Sequence, residues 1–158
     1  MSALCQLDDL LTFIEADAKE VPFGNDVVFH ACSFCVGINL PEKLAVLREC
    51  ARFARPGGRL IWTEVTQDAG DPYYPLPWST TPDGSHIETR EALIKQFGKA
   101  GFAILSVEDE TGAHLELVRQ IKQSGRVPEL PQVQLNAAVL GPDFPERRQI
   151  TSRVLEMR

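Results

Sequence analysis

A helical pattern that runs into Arg55-Pro56-Gly57-Gly58, and from there directly into an apolar run, is the feature that most constrains the fold of this chain. Over residues 41–54, small and apolar side chains recur at the spacing of one helix face. Residues 59–65 are rich in strand-forming side chains. Glycine readily supplies the positive φ that a helix end requires. The pattern therefore predicts a helix followed at once by a strand of a parallel α/β sheet.

Alternation of strands and helices continues along most of the chain. Further strands are predicted at residues 11–16, 26–31 and 102–107, and further helices at 89–101, at 111–124 and from about residue 145. This order predicts an α/β fold: a partial Rossmann-like, doubly wound, mainly parallel sheet with flanking helices. We expect one core formed by Val27, Phe29, Leu47, Leu60, Trp62, Leu93 and Phe97.

Length and charge limit the classes of function. The 158 residues fit one domain, and the net charge of -6 with a pI near 5.1 disfavours nucleic acid and anionic membranes as partners. No apolar run approaches the roughly 20 residues of a membrane span, and the first residues lack a signal-peptide charge pattern. The expected compartment is the cytoplasm.

The four cysteines do not indicate a metal site. Cys32-Ser33-Phe34-Cys35 has the C-x-x-C spacing, but no second pair of ligands accompanies it, and the three histidines are not at a paired spacing. We expect reduced, buried thiols and no metal.

The order of elements, together with three short motifs, resembles a known enzyme family. The motifs are Ala16-Asp17-Ala18, Val21-Pro22-Phe23 and Arg55-Pro56-Gly57-Gly58. They resemble class I S-adenosylmethionine-dependent methyltransferases of the small-molecule branch, type 11-like and similar to sarcosine and dimethylglycine N-methyltransferases. The likeness is strong over residues 11–102 and looser to residues 141–147. It implies S-adenosyl-L-methionine as cofactor and methyl transfer to a small-molecule acceptor.

One part of the family pattern is missing. No glycine-rich strand-to-helix loop precedes Asp17, so by family topology the chain holds the third to sixth strands and lacks the first, second and seventh. The resemblance then implies an incomplete or split enzyme that by itself binds the cofactor weakly or not at all. The alternative is a non-catalytic, methyltransferase-like binding or scaffold protein. Because uncovered sheet edges tend to pair, we expect a homodimer or a partner chain that supplies strands.

The resemblance also assigns candidate cofactor-binding residues. Asp17 matches the acid that accepts a hydrogen bond from the adenine amino group, and the backbone of Ala18 matches the group that reaches the ring. Cys32 and Ser33 follow the fourth family strand and match residues near the methionine end of the cofactor. The alternatives are a turn-forming aspartate at position 17 and small side chains that fill the top of the sheet.

Candidate acceptor residues follow from the same resemblance. Within a single domain of residues 1–158, residues 11–66 form the core segment, 67–88 a loop or lid, and 89–158 a helical part. Tyr73, Tyr74 and Trp78 in the lid are candidates for binding the acceptor, or alternatively for packing on the core. Glu64 could face the acceptor or pair with an arginine. No catalytic residue is assigned; His86 is a weak candidate for accepting a proton.

Overall fold

The computed structural model describes residues 9–68 and 70–123, which form two strands and three helices. The strands are β1 (Val28–Phe34) and β2 (Ala54–Thr63). The helices are α1 (Lys43–Phe53), α2 (Arg90–Ala100) and α3 (Thr111–Gln123). Short 3-10 turns at Gly37–Asn39 and Pro82–Gly84 lie in the connections. The helix predicted from about residue 145 and the motif at 141–147 lie outside the described residues.

The two strands form a parallel pair joined by α1. Ala31 lies opposite Leu60, and Ser33 lies opposite Trp62. A parallel pair needs such a crossover, because both strands begin at the same end of the sheet and the chain must return to that end before the second strand starts. The predicted α/β class, with a parallel sheet and flanking helices, is confirmed.

The two glycines after α1 shape the start of β2. α1 ends at Phe53, and β2 begins at once, with a register irregularity opposite Phe29. Gly57 has the positive φ predicted for this motif, +78°, but it lies within β2 and not at the helix end, where Ala54 is extended. A Cβ at Gly58 would lie 2.5 Å from the carbonyl oxygen of Phe29. Glycine is therefore required there by the close approach of the neighbouring strand.

Helices α1 and α2 cover one face of the sheet. Leu47 of α1 is fully buried and Leu93 of α2 is nearly so, at 0% and 7% exposure. From the strand side, the Trp62 ring packs edge-on against Phe97, with the ring centroids 5.7 Å apart. The core predicted around Leu47, Leu93, Trp62 and Phe97 therefore exists, although the two aromatic rings are only half-buried.

The opposite face of the sheet is exposed. Its residues form three register pairs that we call the open face: His30 with Arg59, Cys32 with Ile61, and Phe34 with Thr63. All six are exposed, and the apolar Phe34 and Ile61 reach 63% and 61%. Parallel sheets are normally covered on both faces. The exposed apolar side chains thus mark where further polypeptide can pack.

Two predicted strands are wrong. Residues 11–16 and 102–107 have no strand structure, and Phe13 and Leu105 are 79% and 78% exposed. A strand is stable only when a neighbour satisfies its backbone groups, and among the described residues the sheet contains only β1 and β2. Two predicted core residues are also wrong: Val27 and Phe29 are 44% and 54% exposed, since they lie at the irregular start of the sheet.

Helix ends follow the sequence closely at α2. The Thr89 side chain accepts a hydrogen bond from the backbone N–H of Ala92, and Gly101 ends the helix with a left-handed φ of 98°. Both caps were predicted from the sequence. On α1, Arg52 donates hydrogen bonds to Glu49 and to the carbonyl of Phe23, which fastens the preceding loop to the helix.

Candidate functional site

The loop after β1, residues 35–40, lies where a doubly wound sheet binds ligands, and we call it the crevice loop. Cys35 has a φ of 52°, and its backbone N–H donates to the Thr63 carbonyl at 2.8 Å. The loop then turns through Gly37–Asn39, with Gly37 and Ile38 buried. The chain therefore crosses the carboxyl ends of both strands and continues into α1.

Glu64 supports the crevice loop from below. A Cβ at Gly37 would overlap with the Glu64 carboxylate and the Trp62 ring, so glycine at this position lets both side chains lie close to the loop. Glu64 Oε2 accepts a hydrogen bond from Trp62 Nε1 at 3.1 Å. Burial raises the pKa of Glu64, and the hydrogen bond from Trp62 offsets part of that effect. Glu64 Oε1 is buried with no hydrogen-bond partner among the described residues.

The predicted adenine residues line a small cleft beside the crevice loop. The cleft has a volume of about 90 Å³ and is lined by Asp17, Ala18, Lys19, Leu40, Pro41, Glu42 and Val46. Asp17 Oδ1 accepts a hydrogen bond from the Lys19 backbone N–H at 2.8 Å, so Asp17 is also the turn residue of the alternative interpretation. Lys19 Nζ lies 2.6 Å from Glu42 Oε2 across the cleft.

The two other predicted cofactor residues point to opposite sides of the sheet. Cys32 belongs to the exposed open face, whereas Ser33 lies half-buried on the face covered by helices. Strand geometry causes this, because successive side chains alternate between faces. Their side chains cannot both contact one ligand lying on one face. The structure brings Asp17 and Ala18 together, but does not bring Cys32 or Ser33 to their cleft.

The lid segment, residues 67–88, lines a larger cavity that is open to solvent on one side. It has a volume of about 450 Å³ and is lined by Gln67, Asp71, Pro72, Tyr74, Pro82, Ser85 and Ile87. Of the predicted acceptor residues, Tyr74 lines this cavity and Tyr73 is 68% exposed. Trp78 is half-buried, and its Nε1 donates to Ser85 Oγ at 3.2 Å. Gln67, Asp71 and Ser85 are polar lining residues that the sequence motifs did not identify.

His86 connects the lid to the crevice loop through its main chain. Its backbone N–H donates to the Ile38 carbonyl at 2.7 Å, and its carbonyl accepts a hydrogen bond from Lys43 Nζ. Its neighbours Ser85 and Ile87 line the lid cavity, but His86 itself does not. The role of its imidazole as a proton acceptor stays a prediction.

Lys43 is a functional candidate that the sequence interpretation missed. It is 2% exposed in the first turn of α1. Burial lowers the pKa of Lys43, and the nearby carboxylates of Glu88 and Glu64 offset part of this. A signal was present, since Lys43 precedes Leu47 by four residues and Cys50 by seven, on the apolar stripe of the helix.

Two other kinds of site are missing from the described part of the chain. Residues 9–68 and 70–123 contain no group of three or more histidine, cysteine or acidic side chains placed to hold a metal ion. Within the same ranges, no helix has both the length and the apolar character needed to cross a membrane.

Comparison with known proteins relates the chain to methyltransferases. Residues 2–62 match the family model described as a methyltransferase domain. The 27-O-demethylrifamycin SV methyltransferase of Amycolatopsis mediterranei is 32% identical over 112 residues, covering 69% of this chain and 35% of that protein. The demethylmenaquinone methyltransferase of Mycobacterium tuberculosis is 46% identical over 54 residues, covering 34% of this chain and 23% of that protein.

A solved structure shows the same fold. The [4+2]-cyclase SpnF superimposes with a TM-score of 0.61 at 24% identity, over 92% of this chain and 54% of that one. The chain spans about a third of the length of the first curated relatives that it matches. A shared fold can carry different reactions, so the cyclase supports the architecture and not a particular chemistry.

Proposed function

We propose that this chain contributes to methyl transfer onto a small-molecule acceptor. These matches support its assignment to the class I S-adenosylmethionine-dependent methyltransferases. The observation that carries the proposal is the position of the crevice loop between two recesses. Leu40, at the end of the loop, lines the cleft of Asp17 and Ala18. Ile38, two residues earlier, is hydrogen-bonded to His86, whose neighbours line the lid cavity.

The residues of the small cleft fit the adenine end of the cofactor. Leu40, Pro41 and Val46 offer apolar contacts for a flat ring, and Asp17 offers a carboxylate that can accept a hydrogen bond from an exocyclic amine. When bound, S-adenosyl-L-methionine supplies an activated methyl group on a sulfonium. In this proposal Asp17 and Ala18 orient the cofactor, and one of Cys32 and Ser33, which face opposite sides of the sheet, lies toward its methionine end.

The lid cavity fits an acceptor. Its volume of about 450 Å³ lies within the roughly 300–1,000 Å³ of pockets that enclose small molecules. Tyr74, Pro72 and Ile87 provide apolar contacts, while Gln67 and Asp71 provide polar groups that can fix the orientation of a ligand. Tyr73 and Trp78 flank this region in the proposed binding of the acceptor.

Positioning, rather than a dedicated catalytic base, accounts for catalysis in this proposal. Transfer of a methyl group requires the acceptor atom, the methyl carbon and the leaving sulfur to lie in line, and alignment can supply much of the rate enhancement. Glu64 holds the crevice loop through a hydrogen bond from the backbone N–H of Ile38, and His86 remains the candidate proton acceptor.

The open face leads us to include additional polypeptide in the active unit. A doubly wound sheet carries helices on both faces, whereas α1 and α2 lie on one face of β1 and β2. We propose that the open face is covered by polypeptide that also adds strands and the glycine-rich cofactor loop. Whether the same polypeptide or a partner chain supplies it is an outcome of the experiment below.

A second candidate function is a non-catalytic, methyltransferase-like binding or scaffold protein that completes its sheet with a partner. The size of the cofactor cleft favours it. At about 90 Å³ the cleft is well below the roughly 300–1,000 Å³ typical of small-molecule sites, so the described residues enclose at most part of a cofactor.

Titration of the isotope-labelled chain with S-adenosyl-L-methionine, followed by NMR, tests the proposal. We expect weak binding, with amide shifts concentrated at Ala18 and Leu40. Asp17→Ala should weaken binding about fivefold, since one hydrogen bond contributes on the order of 1 kcal/mol. The matched control is Asp83→Asn, because Asp83 lines neither recess.

The outcomes separate the alternatives. Shifts that avoid the cleft would remove Asp17 from the cofactor site, and micromolar binding by this chain alone would contradict the need for further polypeptide. If a longer product of the same gene binds tightly, the covering segment is internal; if tight binding requires a second protein, the enzyme is split. Absence of shifts at millimolar ligand in every form favours the scaffold function.

A further inference from the structure

Lys43 is buried far more deeply than a lysine usually is. Its side chain is 1% exposed, beneath the junction of the crevice loop and the lid. Lysine is almost never fully buried unless its charge is paired, because removing an ammonium group from water is costly. Its position on the apolar stripe of α1 could hold a methionine or leucine instead. The contacts of the Lys43 ammonium group must therefore offset the cost of burying its charge.

The Lys43 ammonium group joins three segments of the chain. Its Nζ donates to the Leu40 carbonyl at 3.2 Å and to the His86 carbonyl, and it lies 3.7 Å from Glu88 Oε1. These contacts match the three donors of an ammonium group. One of them is at the end of the crevice loop and two are at the end of the lid segment.

Glu88 extends the connection to the rest of the fold. Its Oε2 accepts a hydrogen bond from Gln96 Nε2 of α2, and its backbone carbonyl accepts one from the Gln67 N–H at 3.1 Å. Gln67 lines the lid cavity and begins the lid segment. Both ends of the lid are therefore fastened close to Lys43.

The residues on either side of the anchored His86 form one wall of the lid cavity. Ser85 and Ile87 line the cavity on either side of His86, and Ser85 also accepts the hydrogen bond from Trp78. The main chain of His86 is held twice, by the Ile38 carbonyl and by Lys43. A shift of His86 would therefore move the cavity wall relative to the crevice loop.

We infer that Lys43 is a positioning residue, which holds the wall of the lid cavity against the crevice loop and so sets the relative position of the two recesses. The anchoring follows from the contacts of Lys43 alone. Its consequence for methyl transfer rests on the proposed function, because only then do the two recesses hold cofactor and acceptor.

The substitution Lys43→Met separates anchoring from folding. Methionine retains the length and apolar contacts of the lysine stem but removes all three polar contacts. Replacing one partner of a buried pair is damaging when it leaves a buried charge behind. Here the remaining Glu88 side chain is 26% exposed and keeps its contact with Gln96, so it can reach water. We therefore expect this variant to fold.

Amide hydrogen exchange provides the test. In Lys43→Met we expect the His86 and Gln67 amides to exchange about tenfold faster or more, as expected when a local contact opens below the global unfolding free energy. The Leu93 amide, which donates to the Thr89 carbonyl in α2, is the internal reference and should not change. Lys43→Arg retains the charge and should restore much of the protection.

Each outcome decides the inference. Unchanged exchange at His86 in Lys43→Met overturns it, as does an equal acceleration at Leu93, which would indicate a general loss of stability. If Lys43→Met does not fold, Glu88→Gln is the second variant, with a smaller acceleration expected at the same two amides. Because exchange needs neither cofactor nor acceptor, a failure of the proposed function would leave this result intact. Where a methyl acceptor is found, Lys43→Met should raise its KM more than it lowers kcat.

Discussion

The two faces of the sheet differ sharply although the same two strands form them. On one face, α1 and α2 cover Leu60 and Trp62, and Leu47 is fully buried. On the other, Phe34 and Ile61 are more than half exposed. Composition does not explain the contrast, because both faces carry apolar side chains. Connectivity does, since α1 and α2 follow the strands in sequence and pack on the same side.

The contrast separates what this chain stabilises by itself from what it offers to other polypeptide. The covered face contains the crossover helix, the Glu64 support and the Lys43 anchor, which together position the crevice loop. The open face contains exposed apolar side chains and Cys32. Exposed apolar patches of this kind mark sites where protein packs. The proposals for catalysis therefore depend on the covered face, and those for assembly depend on the open face.

The largest expected effect is on the covered face. Leu47→Ala should lower the free energy of unfolding by about 2–5 kcal/mol, because it leaves a cavity in a packed core. Ile61→Ala removes a side chain of similar size from the open face and should cost less than about 1 kcal/mol. Urea unfolding of the two variants measures the difference. Equal losses would show that Ile61 is buried in solution and that the open face is covered.

The second largest expected difference between the covered side and the open face is in the reactivity of their thiols. Burial raises the pKa of Cys50, on α1, to about 11, so only about one thiol in a thousand is ionised at pH 8. Cys32 is exposed on the open face. In variants that keep one of these cysteines and replace the other three with serine, an aromatic disulfide reagent should label Cys32 far faster. The urea-unfolded variants provide the reference labelling rates. Similar labelling rates of Cys32 and Cys50 in native buffer would contradict the difference between the two sides.

The pH dependence of stability should show a smaller effect on α1. Hydrogen bonds from Arg52 lower the pKa of Glu49 from its ordinary 4.5 to about 2. A lowered folded-state pKa stabilises the fold above the unfolded value, and this contribution is lost as pH falls from about 4.5 toward 2. Glu49→Gln should therefore be less stable than the parent at pH 7, and the gap should narrow across that window.

Urea unfolding at a series of pH values measures this gap. The exposed Glu91→Gln variant is the matched control, since Glu91 makes only a surface ion pair with Arg90. A gap for Glu49→Gln that stays constant between pH 7 and pH 2 would show that the hydrogen bonds from Arg52 do not stabilise the folded state.

Local signals in the sequence predicted the covered face well. The caps at Thr89 and Gly101, the positive φ of Gly57 and the burial of Leu47 all depend on residues near one another in the chain. The predicted strands at 11–16 and 102–107 failed because a strand needs a neighbour, which a local apolar pattern cannot supply.

The candidate site was predicted only in part, for a similar reason. The motif around Asp17 correctly identified residues that line a cleft. It did not show that Cys32 and Ser33 lie on opposite faces, because the predicted strand ended at residue 31, whereas β1 continues to Phe34 and its successive side chains alternate between faces. Nor could it identify the lining residues Gln67 and Asp71, which the path of the lid brings together.

The smallest expected change in the free energy of unfolding is at the open face. There, a substitution is expected to change the self-association of the chain instead. The open face exposes the apolar Phe34 and Ile61, and the net charge of -6 provides only modest repulsion between copies. We therefore expect concentration-dependent association in sedimentation experiments. Ile61→Lys adds a charge at the centre of this face and should change the free energy of unfolding by less than about 0.5 kcal/mol, as for other exposed positions. It should nevertheless shift the population toward monomer.

Lys95→Glu changes an exposed charge on α2, away from the open face, and serves as the control. A parent chain that is monomeric at every concentration would mean that the open face does not pair with itself. In that case, another segment of the same polypeptide or a different protein would have to cover Phe34 and Ile61.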